Sequence, residues 1–273
     1  MEQLDLFPNV SVSVEYITPK IAESYLACSR GNRNISHLVV EKYARMMRDG
    51  QWGESSDCIS FDRDGVLING HQRLLAVVRS GCAIRALVSR GHKHDAMLTI
   101  DTGRVRTSAN TIEFALPNVK NSTKLATVAR YLLCYDRVLG FSLPKMALVS
   151  NADIAQFVVD NYEKIVFRHW DFLDGLRSQI AIFRFLAVEK YPPEKVDLFL
   201  EKLNSGANLD RDDPIMALRT AIINWRSHFR FRSSQSDTVF RLACIFKAFN
   251  YWISGRKCRL IKIISGEAFP VIK

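Results

Sequence analysis

Hydrophobic and polar positions alternate at the start of the chain, where Val10, Val12 and Val14 predict a strand. Thr18 and Pro19 then mark a helix start: threonine caps, and proline suits the first helical position. That helix runs through Ile21, Ala22, Tyr25 and Leu26, and Gly31 lies in the loop after it. A second helix places Val40, Tyr43, Ala44 and Met47 on one face and closes at Gly50. The period then returns to two. Cys58–Asp62 and Val66–Ile68 read as the strands of a hairpin with Asp64-Gly65 in its turn. Asn69-Gly70 breaks the second strand, and His71–Ser80 reads as a helix with Leu74, Leu75, Val77 and Val78 apolar and Gly81 at its end. Residues 83–91 predict a further strand. A short strand to Ile100, a glycine turn and a helix from about Ser108 follow.

Beyond the Pro- and Asn-containing stretch 116–123 the pattern is helical. Leu125, Val128, Ala129, Leu132 and Leu133 share one face, with Gly140 as a stop. A Ser150/Asn151 start leads into Ile154, Phe157, Val158, Tyr162, Ile165 and Val166. Further helices begin at Pro192-Pro193, Asp213-Pro214 and Asp237, the last ending at Gly255. The expectation is an α+β protein: a small mixed domain over residues 1–116 and a bundle of five or so helices over 117–273.

The cluster Asn69, Gly70, His71, Gln72 and Arg73 falls where a strand gives way to a helix. Helix N-termini expose unpaired N–H groups and a partial positive charge, so they suit anions. Gly70 would allow close backbone approach, and Arg73 would add a planar bidentate donor suited to phosphate. His71 and Gln72 add further donors. The other reading is a corner whose arginine pairs with a core carboxylate.

The run "NGHQRLLAV" resembles the Gly-x-x-Arg box of the ParB/sulfiredoxin-like superfamily. "GNRNIS", "RDGQW", "ISFDRDGVLING" and "IDTGRVRTSAN" follow the order seen in ParB-like proteins of phages and bacteria, over about residues 12–112. The resemblance implies a small α+β domain that binds a nucleotide or other phosphorylated ligand near the box, and a nucleoside triphosphate (ATP or CTP) with Mg²⁺ is the ligand expected here. Gly70 and Arg73 match the box, and Arg33 matches a basic residue placed before the second helix. His71 stands where sulfiredoxins carry a catalytic cysteine, so cysteine chemistry is not expected.

Around this box, Asp57, Asp62, Asp64 and Asp101 are candidates to approach a Mg²⁺, with Asp101 as the candidate metal ligand; turn chemistry is the plainer reading of Asp62 and Asp64. Arg104 and Arg106 would form a second wall of the anion pocket, or lie exposed beside a helix cap. Glu41 and Asp101 are the candidate catalytic carboxylates if the protein transfers phosphoryl groups; an exposed helix glutamate is the plainer reading of Glu41. "HKHD" at 92–95 reads as a solvated loop rather than a metal pair.

Charge changes the picture of the second half. Residues 1–116 hold 14 Lys and Arg against 13 Asp and Glu, whereas residues 117–273 hold 24 against 15. An excess of nine positive charges in one half suggests a polyanion partner there, with solubility as the alternative. Arg226, Arg230 and Arg232 interleave with Trp225, Phe229 and Phe231, and Arg256, Lys257 and Arg259 form a second basic stretch. Arginine beside aromatic rings is the chemistry of nucleic-acid grooves, although the rings would also suit a core. No apolar run reaches membrane-spanning length and no leader pattern is seen. Six scattered cysteines without a Cys-x-x-Cys pair fit a reducing, cytoplasmic setting. The sequence therefore points to a DNA-associated nucleotide-binding protein. A Mg²⁺-dependent phosphotransferase or nuclease of the same fold is the alternative.

Overall fold

The computed structural model describes residues 10–30, 35–93, 96, 107–228, 235–264 and 266–273. The chain divides into two compact units, Met1–Val105 and Arg106–Lys273.

Among the described residues the first unit is built on a four-stranded sheet of order β1-β4-β2-β3. Strand β1 (Ser11–Ile17) runs antiparallel to β4 (Ile84–His92), with Ser11 opposite Arg90 and Ile17 opposite Ile84. On its other side β4 runs parallel to β2 (Ile59–Asp62), which forms the predicted hairpin with β3 (Leu67–Asn69). Helices α1 (Pro19–Ala27), α2 (His37–Arg48) and α3 (His71–Ser80) supply the rest of the core. Ile17, Ala22, Ala44, Ile59, Leu67, Leu74, Val77 and Val88 form its buried centre. The start of α1 is as the sequence dictates, since the Thr18 side chain accepts the Ile21 N–H at 3.3 Å with Pro19 in the first turn.

The valine pattern of β1 has the expected period but faces outward. Val12 and Val14 are 57% and 59% exposed, and Ile17 is the residue that enters the core. A charged network fixes this strand. Glu15 accepts from Arg90 at 2.5 Å and from the Tyr25 hydroxyl at 2.5 Å, while the Arg90 guanidinium lies over the Tyr25 and Phe61 rings. Hydrogen bonds from Arg90 lower the Glu15 carboxyl to about 2, against the opposing effect of burial.

The second unit is helical, with one two-stranded ribbon. Its elements are α4 (Ser108–Ala115), α5 (Ser122–Leu133), β5 (Tyr135–Asp136), β6 (Gly140–Phe141), α6 (Leu143–Leu148), α7 (Asn151–Asn161), α8 (Arg177–Ala187), α9 (Pro193–Ser205), α10 (Pro214–His228) and α11 (Gln235–Ile253). It thus holds more helices than the five or so expected. It also begins earlier than the 116/117 boundary read from the sequence. Helix α4 packs on α5 and α7, and Ile112 is fully buried in the helical core. The stretch 116–123 is a turn between packed helices, where Asn118 and Asn121 adopt positive φ. Gly140 is likewise not a helix stop: it opens β6 with φ +79°, and a Cβ there would lie 2.5 Å from the Phe269 ring. Phe183, Phe199, Phe246 and Phe249 meet at the centre with ring centroids 5.1 to 5.6 Å apart where they touch. Among the described residues no helix is long and apolar enough to cross a membrane.

Candidate functional site

The turn at residues 69–73 does open a helix. Gly70 is the N-cap of α3 with φ +102°, and no side chain among the described residues caps the helix there. The need for glycine comes from the sheet beneath. A Cβ at Gly70 would lie 3.0 Å from Ile59 Cγ1 and 3.3 Å from Ile59 Cα, so position 70 is pressed against β2. Asn69 serves the same joint, since its Nδ2 donates to the Cys58 carbonyl at 3.2 Å.

The arginine of the box turns back on its own chain. Arg73 Nη2 donates to the Cys58 carbonyl at 2.7 Å, and Nη1 donates to the Asp57 carbonyl. It borders a shallow concavity lined also by Trp52, Ser55, Asp57, Ile59 and Arg85. Neither Gly70 nor His71 lines that space. The expected convergence of Gly70, His71 and Arg73 on one ligand is therefore not what the geometry shows. Residues two apart on a helix point to different sides. His71 meets Ser29, with Nδ1 3.1 Å from the hydroxyl, and burial lowers its pKa, so it is neutral at pH 7. Gln72 is half-buried beside it.

Glu41 stands at the other end of α3. Its carboxylate accepts from Arg48 at 2.9 Å and from Arg79, in the last turn of α3, at 3.1 Å. Hydrogen bonds from Arg48 and Arg79 lower its pKa. A carboxylate with two arginines, remote from the turn, clamps α2 to α3; it does not act as a general base at the box. Asp62 is turn chemistry: its buried Oδ1 accepts the N–H groups of Asp64 at 3.0 Å and Val66 at 2.8 Å. Among the described residues no group of three or more His, Cys, Asp or Glu could hold a metal. Arg33, Asp101, Arg104 and Arg106 lie outside the described residues, and so do Arg230 and Arg232.

In the helical unit, α10 carries Arg226, whose side chain is also outside the described residues. Trp225 is half-buried against the core and meets Phe240 edge-on at 5.9 Å, so it is packing rather than an open stacking platform. Arg256 and Arg259 are exposed, the former over the Tyr251 ring at 4.3 Å. Lys257 differs, because its Nζ lies 3.2 Å from both Asp210 and Asp212.

A second arginine cluster escaped the sequence reading because no run announces it. Arg168, Arg177 and Arg184 line one pocket with Trp170, Leu173 and Ile180. Arg177 and Arg184 are two turns apart on α8, with Ile180 between them on the same face. That interleaving was the available signal. Asp197 on α9 bridges two of the three, accepting from Arg184 at 2.8 and 3.1 Å and from Arg168 at 2.7 Å. Burial pushes the Asp197 carboxyl up, but these bonds and charges outweigh it and hold the carboxyl low. Arg177 donates from Nη2 to His169 Nδ1 at 3.0 Å and pairs with Asp174. Its Nε is buried with no hydrogen-bond partner among the described residues.

No family model, no curated protein and no solved structure matches the chain.

Proposed function

We propose that the protein binds nucleic acid through its helical unit. The observation that carries this reading is the charge division between the units. Residues 106–273 hold 25 Lys and Arg against 16 Asp and Glu, while residues 1–105 hold 13 against 12. Exposed Arg256 and Arg259 contribute to that excess from a stretch anchored by Lys257. A phosphate backbone neutralised by such groups releases condensed counterions, so affinity falls steeply with salt.

Fluorescence anisotropy of labelled single-stranded and duplex DNA across a salt series tests this. Binding should weaken several-fold for each doubling of salt, and replacing Arg256 and Arg259 with Gln should lower the affinity and flatten the slope by about one to two contacts. Binding that is absent at low salt, or unaffected by salt, overturns the reading.

A nucleoside triphosphate with Mg²⁺ at the start of α3 is a second reading, supported by the resemblance of the box and by the uncapped N-terminus of that helix. Binding without turnover is the form proposed, because Glu41 is engaged elsewhere. A thermal-shift comparison of ATP and CTP, each with and without Mg²⁺, tests it: a ligand of the folded state raises the melting temperature, and no shift with either overturns this reading.

A further inference from the structure

We propose that the outer edge of β1 docks a second copy of this chain, the two β1 strands pairing antiparallel about a twofold axis at Val14. Strand β1 ends the sheet and is bonded to β4 on one side. Among the described residues its other side pairs with nothing, and the remaining hydrogen bonds of Ser11–Ile17 are those of the Ser13 and Glu15 side chains. Alternate N–H and carbonyl groups of a seven-residue strand are therefore open to a further strand. The opposite edge of the sheet is treated differently. Strand β3 has three residues, Ser29 bridges Leu67, and the Leu67 N–H donates to the Cys28 carbonyl at 3.1 Å. That edge is short and covered. By contrast β1 has neither lysine nor proline, the residues that discourage strand addition, and its one charge, Glu15, is engaged by Arg90 and Tyr25 of its own unit.

The side chains along β1 fit a copy of themselves. Val12, Val14 and Tyr16 share one face of the strand and are 57%, 59% and 64% exposed. Three large apolar side chains in a row, on a unit that has a core of its own, form a surface better removed from water. The set is symmetric about its middle. With Val14 on the axis, the two copies of Val14 meet and each Val12 meets a Tyr16, the β-branched and aromatic pairs that stabilise adjacent strands. On the other face each Ser13 meets a Glu15, a hydroxyl donor opposite a carboxylate, and no two like charges stand directly opposite. Charge over the whole unit agrees. Residues 1–105 hold 13 Lys and Arg against 12 Asp and Glu, so two copies of this unit meet with little repulsion. In the helical unit an excess of nine positive charges opposes self-association. The edge also carries no free charge by which to select an acidic or basic foreign strand, whereas a second copy always brings the matching stripe. Three side chains and one strand edge fall short of the roughly 800 Å² per partner of a standard interface, so the dimer should be weak, dissociating at about 10–100 µM.

Sedimentation velocity of the full chain over that concentration range tests the proposal. Nucleic acid is removed and salt kept high so that no bound strand bridges two copies; the proposal does not depend on nucleic-acid binding. Wild-type protein should pass from monomer to dimer as its concentration rises. Val14→Lys sets two ammonium groups against each other on the axis, and Val14→Glu two carboxylates, so each should weaken dimerisation about tenfold or more. Because Val14 is exposed, both variants should melt as the wild type does. Mixing the two variants should restore a dimer, since opposite charges then meet, and no local defect of the fold could be repaired that way. Should the Val14 variants fail to fold, Val12→Lys mixed with Tyr16→Glu decides, because those positions face each other in the same register. A protein that stays monomeric throughout overturns the proposal and leaves the edge to a foreign strand or to none. A dimer that Val14→Lys does not weaken, or variants that mixing does not rescue, also overturns it. So does an assembly that grows beyond two copies, because a twofold edge closes on itself.

Discussion

Two helix starts in this protein each carry an arginine and differ in what its donors do. At α3, a glycine, a histidine and an arginine crowd a strand-to-helix joint, yet each has a task in the fold. Gly70 clears Ile59, His71 meets Ser29, and Arg73 grips the carbonyls of Asp57 and Cys58. At α8, the arginines are scattered through the sequence, yet they gather around one pocket and leave a buried N–H that has no acceptor among the described residues. The contrast separates donors that the fold uses from a donor that it leaves over. What marks a site is donor capacity that the fold itself does not use.

The strongest way to break this comparison is at Gly70. If the glycine serves packing, Gly70→Ala should destabilise the first unit by about 2–4 kcal/mol, since it combines positive φ with a Cβ pressed on Ile59. Urea unfolding followed by the far-ultraviolet signal would measure it. A neutral result would reinstate the glycine as a ligand-facing residue. Next comes Arg73→Ala, expected to cost about 1–3 kcal/mol because it strips a charged donor from two carbonyls. An unchanged melting temperature in that variant would mean the guanidinium is held there for something other than the fold.

Acid sharpens the comparison from the side of the sheet. The Glu15 carboxyl is lowered to about 2 in the folded protein from an ordinary value of 4.5, so the stability it contributes is complete above about pH 4.5. It is lost as pH falls from there towards 2. Part of the Arg90 side chain is exposed, so screening limits the effect to on the order of 1–2 kcal/mol. Glu15→Gln should flatten the acid limb of a stability–pH curve by that amount; a curve with the same limb would remove Glu15 from the account. The smallest effect belongs to Glu41→Gln, within about 1 kcal/mol, since the pair it makes with Arg48 and Arg79 lies at the surface. A much larger change, or the loss of any ligand response at the α3 turn, would contradict the clamp.

What could be read from the sequence was what is local. The Thr18 and Ser150 caps, the turn made by Asp62, Asp64 and Gly65, and the left-handed stop at Gly81 each depend on residues within a few positions, and each is where the pattern put it. The site was less legible because its meaning lay in distant partners. Nothing near Arg73 signals that the carbonyls at 57 and 58 will fold back onto it. The ring that crowds Gly140 is that of Phe269, and one partner of Asp197 is Arg168, distant in sequence in both cases. The chain divides earlier than the boundary read from the sequence, for a related reason. Pro117, Asn118 and Asn121 make a turn whether it joins domains or helices, and only the burial of Ile112 distinguishes the two.

The strand order of the first unit has a kinetic consequence. Strand β4 is the last of the four in the chain and sits between β1 and β2, bonded to both. No pair except the β2–β3 hairpin can close before it arrives, and β1 must wait for a partner that begins only at Ile84. The loop between Ile17 and Ile84 has to be ordered before its contacts repay the lost chain freedom. The early helices α1 and α2 therefore await their sheet, and the rate at which this unit forms should follow substitutions in β4, such as Val88→Ala, more closely than substitutions in the hairpin that is complete from the outset.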